Sequence, residues 1–230
     1  FRVLNLFYLL NMKHLLYALL TAVSILFTSC GPSSNTNTPQ EPNVPQPQPQ
    51  PQPEVTQKVV IGYLALDDWE FESLFPTIEW KYLTHINASF ARVKADGTLN
   101  INPVRKRIES VRETAHKHNV KILISLAKNS PGEFTTAIND PKARKELIQQ
   151  IIAFTKEYKL DGFDIDYEEY DNWDKNFPSL LVFARGLYLA KEKNMLMTCA
   201  VNSRWLNYGT EWEQYFDYIN LMSYDRGAFT

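Results

Sequence analysis

The sequence has few cysteines and histidines and almost no excess charge, and each shortage excludes a class of protein. Two cysteines and four histidines in 230 residues cannot build a disulfide framework, and no Cys/His spacing resembles a metal site. The formal net charge of -2 gives no electrostatic reason to expect a nucleic-acid partner. No metal or organic cofactor is implied, and Cys199, inside an apolar segment, is expected to be an inert buried residue.

The first 30 residues are interpreted as a targeting segment. A charged start at Met12 precedes an apolar run, residues 15–27, that is short for a membrane span. Small residues then surround Cys30, and this layout resembles a bacterial lipoprotein signal, in which cleavage leaves Cys30 as the lipid-bearing first residue. The resemblance predicts an exported lipoprotein tethered to a membrane, at the cell surface or in the periplasm. An ordinary signal peptide or an N-terminal anchor helix is the alternative. Since such a signal would start at Met12, residues 1–11 are interpreted as a start-site artefact.

Residues 31–56 are interpreted as a disordered tether. They hold Ser, Asn and Thr and then a Pro-Gln alternation from Pro45 to Pro53. Such a segment buries almost nothing and cannot offset its ordering entropy. Alternate prolines favour an extended, semi-rigid chain, which would hold a following domain away from a membrane. A Pro-rich recognition ligand is the alternative.

From residue 57 onward, short apolar runs alternate with segments of helical spacing. Strand, crossover and strand in repetition imply parallel pairing, with helices covering the sheet. The predicted strands are Val59–Leu64, Tyr82–Val93, Lys121–Ala127, Gly162–Glu168, Met195–Val201 and Tyr218–Tyr224. The predicted helices are Pro103–Asn119, one opened by Asp140 and Pro141, Pro178–Lys193, and a short one at Trp212–Phe216.

Two α/β architectures fit this alternation: an open doubly wound sheet and an eight-fold barrel. No glycine-rich turn follows the first strand, which counts against a nucleotide-binding open sheet. A barrel typically takes about 250 residues, and six strand-helix units are visible where eight are needed. The sequence therefore predicts a (β/α)8 TIM barrel over residues 57–230 that is incomplete, as a C-terminally truncated catalytic domain.

Three acids alternate along the fourth predicted strand. Asp164, Asp166 and Glu168 are two residues apart, so their side chains point to one face. On a solvent-exposed antiparallel strand this alternation would indicate only a solvated face. In a parallel sheet both faces are enclosed, and three neighbouring carboxylates cannot all be desolvated and ionised cheaply. The acids therefore indicate a catalytic site at the C-terminal ends of the strands.

The run Asp161-Gly-Phe-Asp164-Ile-Asp166-Tyr-Glu168 resembles the signature of family 18 glycoside hydrolases, the chitinases and their relatives. Met222-Ser-Tyr224-Asp225 resembles the Met-any-Tyr-Asp motif of that family. The first and second strands add weaker matches, and the resemblance covers residues 59–225. The family's third strand usually ends in Ser, any residue, Gly-Gly. Here that position reads Ser125-Leu-Ala-Lys128, which places a cation where the backbone is normally bare.

The resemblance implies hydrolysis of β-1,4 linkages between N-acetylglucosamine units in chitin or chitooligosaccharides, by a retaining, substrate-assisted mechanism. Side chains two apart on a strand project side by side, about 6.6 Å apart along the backbone. Asp166 therefore cannot easily attack the sugar face opposite Glu168, and the substrate's own 2-acetamido oxygen can act instead. On this interpretation Glu168 protonates the leaving oxygen, Asp166 orients the acetamido group and Asp164 holds Asp166.

Further site residues follow from the same resemblance and from the positions of aromatic residues after the strands. Tyr224 is expected to donate a hydrogen bond to the acetamido oxygen. Trp69, Trp173 and Trp205 follow strands at the ligand-binding end, where they would either stack on sugars or pack as core residues. Substrate contacts are expected from Asp225, Met222, Tyr63, Phe90 and Trp205.

Three other functional interpretations remain open at this stage. The chemistry could act on the chitobiose core of N-linked glycans, as an endo-β-N-acetylglucosaminidase. A non-catalytic, chitinase-like glycan-binding protein is a second alternative, although such proteins typically lose the acid that is present here as Glu168. The third is an inactive remnant, because a barrel without two of its strands exposes sheet edges.

Overall fold

Six parallel strands form the sheet on which the site is built. In the computed structural model the described residues are 7–8, 58–169, 171–209 and 211–223. All six predicted strands are confirmed, with ends that differ by a few residues. The strands are Val60–Ala65 (β1), His85–Val93 (β2), Lys121–Lys128 (β3), Gly162–Asp166 (β4), Leu196–Val201 (β5) and Tyr218–Leu221 (β6).

The order of the strands decides between the two predicted architectures. β1 to β6 lie side by side in sequence order, and each neighbouring pair is parallel. A doubly wound sheet reverses its strand order at a switch point, and the strands described here show no reversal. The fold is therefore an incomplete (β/α)8 barrel, of which six strand-helix units were predicted from the sequence. Two-residue strands pair antiparallel at the sheet: Phe7–Tyr8 with β1, and Leu99–Asn100 with β2.

Helices connect successive strands, as a parallel sheet requires. The helix opened by Asp140 and Pro141 is confirmed, since the Asp140 side chain accepts a hydrogen bond from the Ala143 backbone N–H at 2.7 Å. Pro141 occupies the first turn, where its missing N–H costs nothing. The α-helices are Phe71–Leu74 (α1), Asn102–Arg105 (α2), Ile108–Lys117 (α3), Glu133–Asn139 (α4), Pro141–Glu157 (α5) and Trp173–Ala190 (α6). The 3-10 helices are Phe75–Thr77, Trp80–Tyr82, Ser203–Tyr208 and Glu211–Tyr215.

Two helix predictions differ from the structure, and one longer helix was missed. The single helix predicted from Pro103 is broken into α2 and α3, and Arg107 at the break donates hydrogen bonds to the carbonyls of Leu66 and Asp68. The helix predicted to begin at Pro178 begins five residues earlier, with the proline inside α6. Burial of Trp173 in that first turn outweighs the usual preference of proline for the helix start. α4 was not predicted at all.

The sheet is buried on both faces, as expected for parallel strands between a barrel interior and a helix layer. All residues of β4 are buried. Ile165 belongs to the hydrophobic core, and the Tyr167 ring packs against Phe134 of α4 at 5.3 Å and Trp173 of α6 at 5.9 Å. Cys199 is a free, fully buried residue of β5, and burial raises the pKa of its thiol well above the usual value.

The N-terminal predictions fall almost entirely outside the described residues. These include the targeting segment with Cys30, apart from Phe7–Tyr8, and the tether at residues 31–56. The chain divides into a unit of Phe1–Leu10 with Val59–Thr230 and a unit of Asn11–Lys58, and of the second only Lys58 is described. Among the described helices, none combines the length and apolar character needed to cross a membrane.

Candidate active site

Asp164 lies in the barrel interior at the centre of a hydrogen-bonded layer. Pairing places Ser125 of β3 and Thr198 of β5 beside it on the neighbouring strands. Its Oδ2 accepts hydrogen bonds from Ser125 Oγ at 2.7 Å and from Tyr63 Oη at 3.0 Å. Its Oδ1 accepts a hydrogen bond from Thr198 Oγ1 at 2.5 Å. Asn220 of β6 extends the layer by donating to Tyr63 Oη at 2.9 Å.

The electrostatics of this layer follow from the complete burial of Asp164. Burial raises the pKa of Asp164, while the hydrogen bonds from Thr198, Ser125 and Tyr63 act in the opposite direction. Burial, and then the nearby carboxylates of Asp164 and Asp166, raise the pKa of Tyr63 well above its usual value. Tyr63 therefore stays protonated and donates, which orients the Asp164 carboxyl group.

Asp166 lies two residues after Asp164, at the C-terminal end of β4. Few hydrogen bonds compensate the burial of its carboxyl group. Its side chain is 8% exposed, and the buried Oδ1 has no hydrogen-bond partner among the described residues. Burial raises the pKa of Asp166 well above the usual value, and the charges of Asp164 and Glu168 raise it further. Lys128 and Arg92 act against this rise. An unsatisfied buried carboxyl group of this kind is characteristic of functional sites.

Glu168 lies beyond the end of β4, which stops at Asp166, and its side chain is exposed. It therefore reaches the mouth of the barrel, where a ligand has access. The Lys128 ammonium donates a hydrogen bond to the Glu168 backbone carbonyl at 2.9 Å. The structure thus brings together the three acids that the sequence predicted, two of them in the interior and one at the opening.

The fourth acid of the motif lies at the opposite end of the strand. Asp161 Oδ2 accepts a hydrogen bond from the Ile122 backbone N–H at 2.8 Å and contacts His116 Nε2 of α3 at 2.8 Å. Asp161 therefore joins the start of β4 to β3 and to the helix layer, far along the strand from Glu168.

The other predicted substrate contacts take several positions. Tyr63 is half-buried and belongs to the hydrogen-bonded layer under the acids. Phe90 is half-buried at an irregularity in the pairing of β2, with the Arg92 guanidinium 5.0 Å from its ring centre. Met222 follows β6, is half-buried, and donates its backbone N–H to the Val201 carbonyl at 2.7 Å. Tyr224 and Asp225 lie outside the described residues.

Trp205 requires a correction. The sequence left Trp205 open between sugar stacking and core packing and included it among the expected substrate contacts, but its side chain is 1% exposed. Its ring packs against Trp173, Phe177 and Trp212 at centroid distances of 4.9 to 5.7 Å. A ring enclosed on this scale has no free face for a sugar, so Trp205 is a core residue here. Trp173 belongs to the same cluster, whereas Trp69 is 86% exposed in the loop after β1.

Several residues of the site were not singled out from the sequence. Thr198 and Asn220 are polar residues inside otherwise apolar strands, which was a usable signal for an interior hydrogen-bonded layer. Glu169, which directly follows the acid motif, was also missed. Its side chain is buried and accepts hydrogen bonds from Thr135 of α4. The described part of the chain has no group of three or more His, Cys, Asp or Glu side chains arranged to hold a metal ion.

The fold and the site define a class of protein: parallel barrels with a row of acids at the C-terminal end of one strand. The sequence pattern described as glycosyl hydrolases family 18 matches residues 59–228. The chain belongs to this family, as the acid motif predicted.

Named relatives agree with this membership. Chitinase B of Serratia marcescens is 25% identical in an alignment 215 residues long that covers 74% of this chain and 43% of that protein. The structure of a family 18 chitinase from the chitin utilization locus of Flavobacterium johnsoniae is 29% identical, with a TM-score of 0.57 over 72% of this chain and 53% of that one. A family 18 chitinase of Cycas revoluta in complex with (GlcNAc)3 has a TM-score of 0.63 at 23% identity, over 72% of this chain and 55% of that one. The chain spans less than half the length of the curated relatives that it matches.

Proposed function

We propose that the protein hydrolyses β-1,4 linkages between N-acetylglucosamine units of chitin or chitooligosaccharides, by a retaining, substrate-assisted mechanism. The observation that carries the proposal is the Asp166 carboxyl group. It is buried beside Asp164, has an oxygen without a partner among the described residues, and lies next to an exposed acid, Glu168. A substrate group that develops positive charge would compensate this carboxylate, and it would do so most strongly in the transition state.

Each acid has a role that matches its surroundings. Glu168 is exposed and free to reach a glycosidic oxygen, so it protonates the leaving group. Asp166 orients the 2-acetamido group, whose oxygen attacks the anomeric carbon and whose nitrogen gains positive charge. Asp164 is held by three hydroxyl groups and cannot turn toward a ligand, so it supports Asp166 from below. Tyr224, by its place in the second motif, would donate to the acetamido oxygen.

The substrate class rests on the relatives. The two relatives reported above at 25% and 29% identity are both named chitinases. Another relative, 28% identical over 95 residues, is named a chitinase-like effector of Moniliophthora roreri. A glycan-binding protein without catalysis, the alternative left open by the sequence, is the second candidate, and the presence of Glu168 favours an enzyme.

Glu168→Gln in the full-length protein tests the proposal. The amide cannot give up a proton, so turnover of chitooligosaccharides should fall by at least about 100-fold, while binding by calorimetry stays measurable. The matched control is Glu157→Gln, at an exposed position at the end of α5, which should leave turnover unchanged.

Product analysis on two substrates separates the candidates. Cleavage of chitooligosaccharides by the wild type supports the proposal, and retention of the β-anomer in the first product supports the substrate-assisted mechanism. Cleavage confined to the chitobiose core of N-linked glycans would replace the substrate class. Full activity of Glu168→Gln would overturn the assignment of the acid.

We also propose that the protein is exported and tethered to a membrane through a lipid on Cys30. The support is the layout of the first 30 residues together with the Pro-Gln segment that follows. A tether of that composition would hold the barrel at a distance from the membrane, where a polymeric glycan has access to its mouth.

A further inference from the structure

The segment that carries Glu168 has no regular secondary structure to hold it. β4 ends at Asp166, and residues 167–169 belong to neither a strand nor a helix. The Glu168 side chain is exposed, while Tyr167 and Glu169 on either side are buried. The placement of Glu168 therefore depends on what its two neighbours and its own backbone bind.

The first turn of α4 holds both neighbours. The Glu169 carboxylate accepts hydrogen bonds from the Thr135 backbone N–H at 2.5 Å and from Thr135 Oγ1 at 2.6 Å, and it also accepts from the Gly132 backbone N–H. Since the single Thr135 hydroxyl proton goes to Glu169, the Tyr167 hydroxyl donates to Thr135 Oγ1, at 2.5 Å. A buried carboxylate with three donors is a strong attachment.

The end of β3 holds the backbone of Glu168 itself. Lys128 is the last residue of β3, and its Nζ donates to the Glu168 carbonyl oxygen at 2.9 Å. In the family motif that ends the third strand, the position of Lys128 is usually a glycine, which has no side chain. The ammonium group thus bridges two neighbouring strand ends at the point where the chain leaves the sheet.

We propose that Lys128 and Glu169 are positioning residues for Glu168, fixing its segment from opposite sides so that the acid stays at the mouth of the barrel. This inference rests on the proposed function for its catalytic consequence. The physical reason is that an acid must remain within hydrogen-bond distance of the glycosidic oxygen, and small displacements of a catalytic group lower the rate steeply. Neither side chain has to touch the substrate for this effect.

Lys128 also acts on Asp166 through its charge, an effect that Glu169 does not share. Asp166 faces Tyr63 from β1, Arg92 from β2, Lys128 from β3, and the acids Asp164 and Glu168 of its own chain segment. The positive charge of Lys128 lowers the pKa of Asp166. Without that charge Asp166 would ionise only at higher pH, so the acidic limb of the rate profile should move upward.

Three variants of the full-length protein test the inference by steady-state kinetics on chitooligosaccharides. Lys128→Met and Glu169→Gln should each lower kcat by about 10- to 100-fold with little change in KM, because they loosen Glu168 without removing a substrate contact. Lys128→Arg keeps the charge and a donor and should restore most of kcat. The acidic limb should move to higher pH in Lys128→Met and stay in place in Glu169→Gln. Lys145→Met, at an exposed position on α5, is the matched control.

Hydrogen exchange of the peptide spanning residues 166–172 gives a readout that does not need catalysis. Faster exchange there in Lys128→Met and Glu169→Gln, with the rest of the barrel unchanged, supports the inference. Wild-type exchange in both variants, or unchanged kcat in Lys128→Met, overturns it. If the wild-type protein cleaves no chitooligosaccharide, the proposed function fails, and the exchange measurement still decides whether the two side chains hold the segment. If Glu169→Gln does not fold, Lys128→Met and Lys128→Arg decide the question.

Discussion

Replacing Asp166 by asparagine should remove activity and at the same time stabilise the fold. The carboxyl group is buried, and its Oδ1 has no hydrogen-bond partner in the described part of the chain. It also lies two residues from Asp164 on the same strand. The amide has nearly the same shape but no charge, so Asp166→Asn removes the repulsion and most of the desolvation cost while leaving the packing in place.

The size of the gain can be worked out from the geometry. Two carboxylates about 6.6 Å apart along a strand repel each other by about 2.5 kcal/mol at an effective dielectric constant of 20. The charges of Lys128 and Arg92 offset part of this repulsion. The gain at pH 7 cannot exceed about 4 kcal/mol, since a carboxyl group that cost more to ionise would take up a proton instead. We expect a rise of about 1 to 2 kcal/mol in the free energy of unfolding, within the range seen when a strained functional group is removed.

The direction of the pKa shift fixes how the contribution of Asp166 to stability changes with pH. Burial raises the folded-state pKa of Asp166 above its value in the unfolded chain. Between these two pKa values the folded protein binds more protons than the unfolded chain. Its stability therefore falls as pH rises through the folded-state pKa. The Asp166 contribution to wild-type stability should therefore fall between pH 4 and pH 7, and Asp166→Asn lacks it. Burial lowers the pKa of His85 to about 4, which acts in the opposite direction but equally in both proteins, so the stability difference between variant and wild type should grow as pH rises.

Urea unfolding followed by tryptophan fluorescence at pH 4 and pH 7 measures both quantities. Asp174→Asn, at an exposed position in the first turn of α6, is the control and should change stability by no more than about 0.5 kcal/mol. A variant Asp166→Asn that is less stable than the wild type at pH 7, with the same pH dependence, would refute the claim that this carboxyl group is electrostatically uncompensated.

The remaining predictions concern the sheet, the interior layer and the N-terminus. Gly162→Ala would place a Cβ 2.0 Å from a backbone oxygen of β5 and should destabilise the fold by about 3 kcal/mol or more. The Cβ of Gly62→Ala would meet only side-chain atoms, at 3.5 Å or more, so this variant should be neutral or stabilising by up to about 1 kcal/mol. Urea unfolding measures both glycine variants. Ser125→Ala removes a hydrogen bond of 2.7 Å to the buried Asp164 carboxyl group and should cost about 1.5 to 3 kcal/mol in the same assay; an unchanged midpoint would contradict it. Cys30→Ala should abolish the incorporation of labelled fatty acid into the protein in growing cells, and a variant labelled as strongly as the wild type would rule out the lipid anchor on Cys30.

Local signals in the sequence were sufficient for the repeating units. Asp140 before Pro141 marked the start of a helix because both residues act within one turn of their own position. The apolar runs predicted the six strands because a strand that is buried on both faces consists almost entirely of apolar residues. The acid motif identified the candidate site and the family together.

Long-range packing decided what the sequence could not. The start of α6 at Trp173 and the enclosure of Trp205 both depend on aromatic side chains from separate segments meeting in one cluster. No periodicity within either segment records that meeting. The same holds for α4, whose short span gave no helical pattern but whose first turn binds Glu169.

The sequence by itself determined the alternation of strands and helices and the row of acids along and just after β4, because both depend on the spacing of neighbouring residues. Only the tertiary structure decided that Asp164 is held by hydroxyl groups from three other strands, that Asp166 is buried with an oxygen left unpaired in the described structure, and that Lys128 reaches the Glu168 backbone. The physical reason is that a carboxyl group's ionisation and placement depend on groups brought to it by strand pairing, many residues away in the chain.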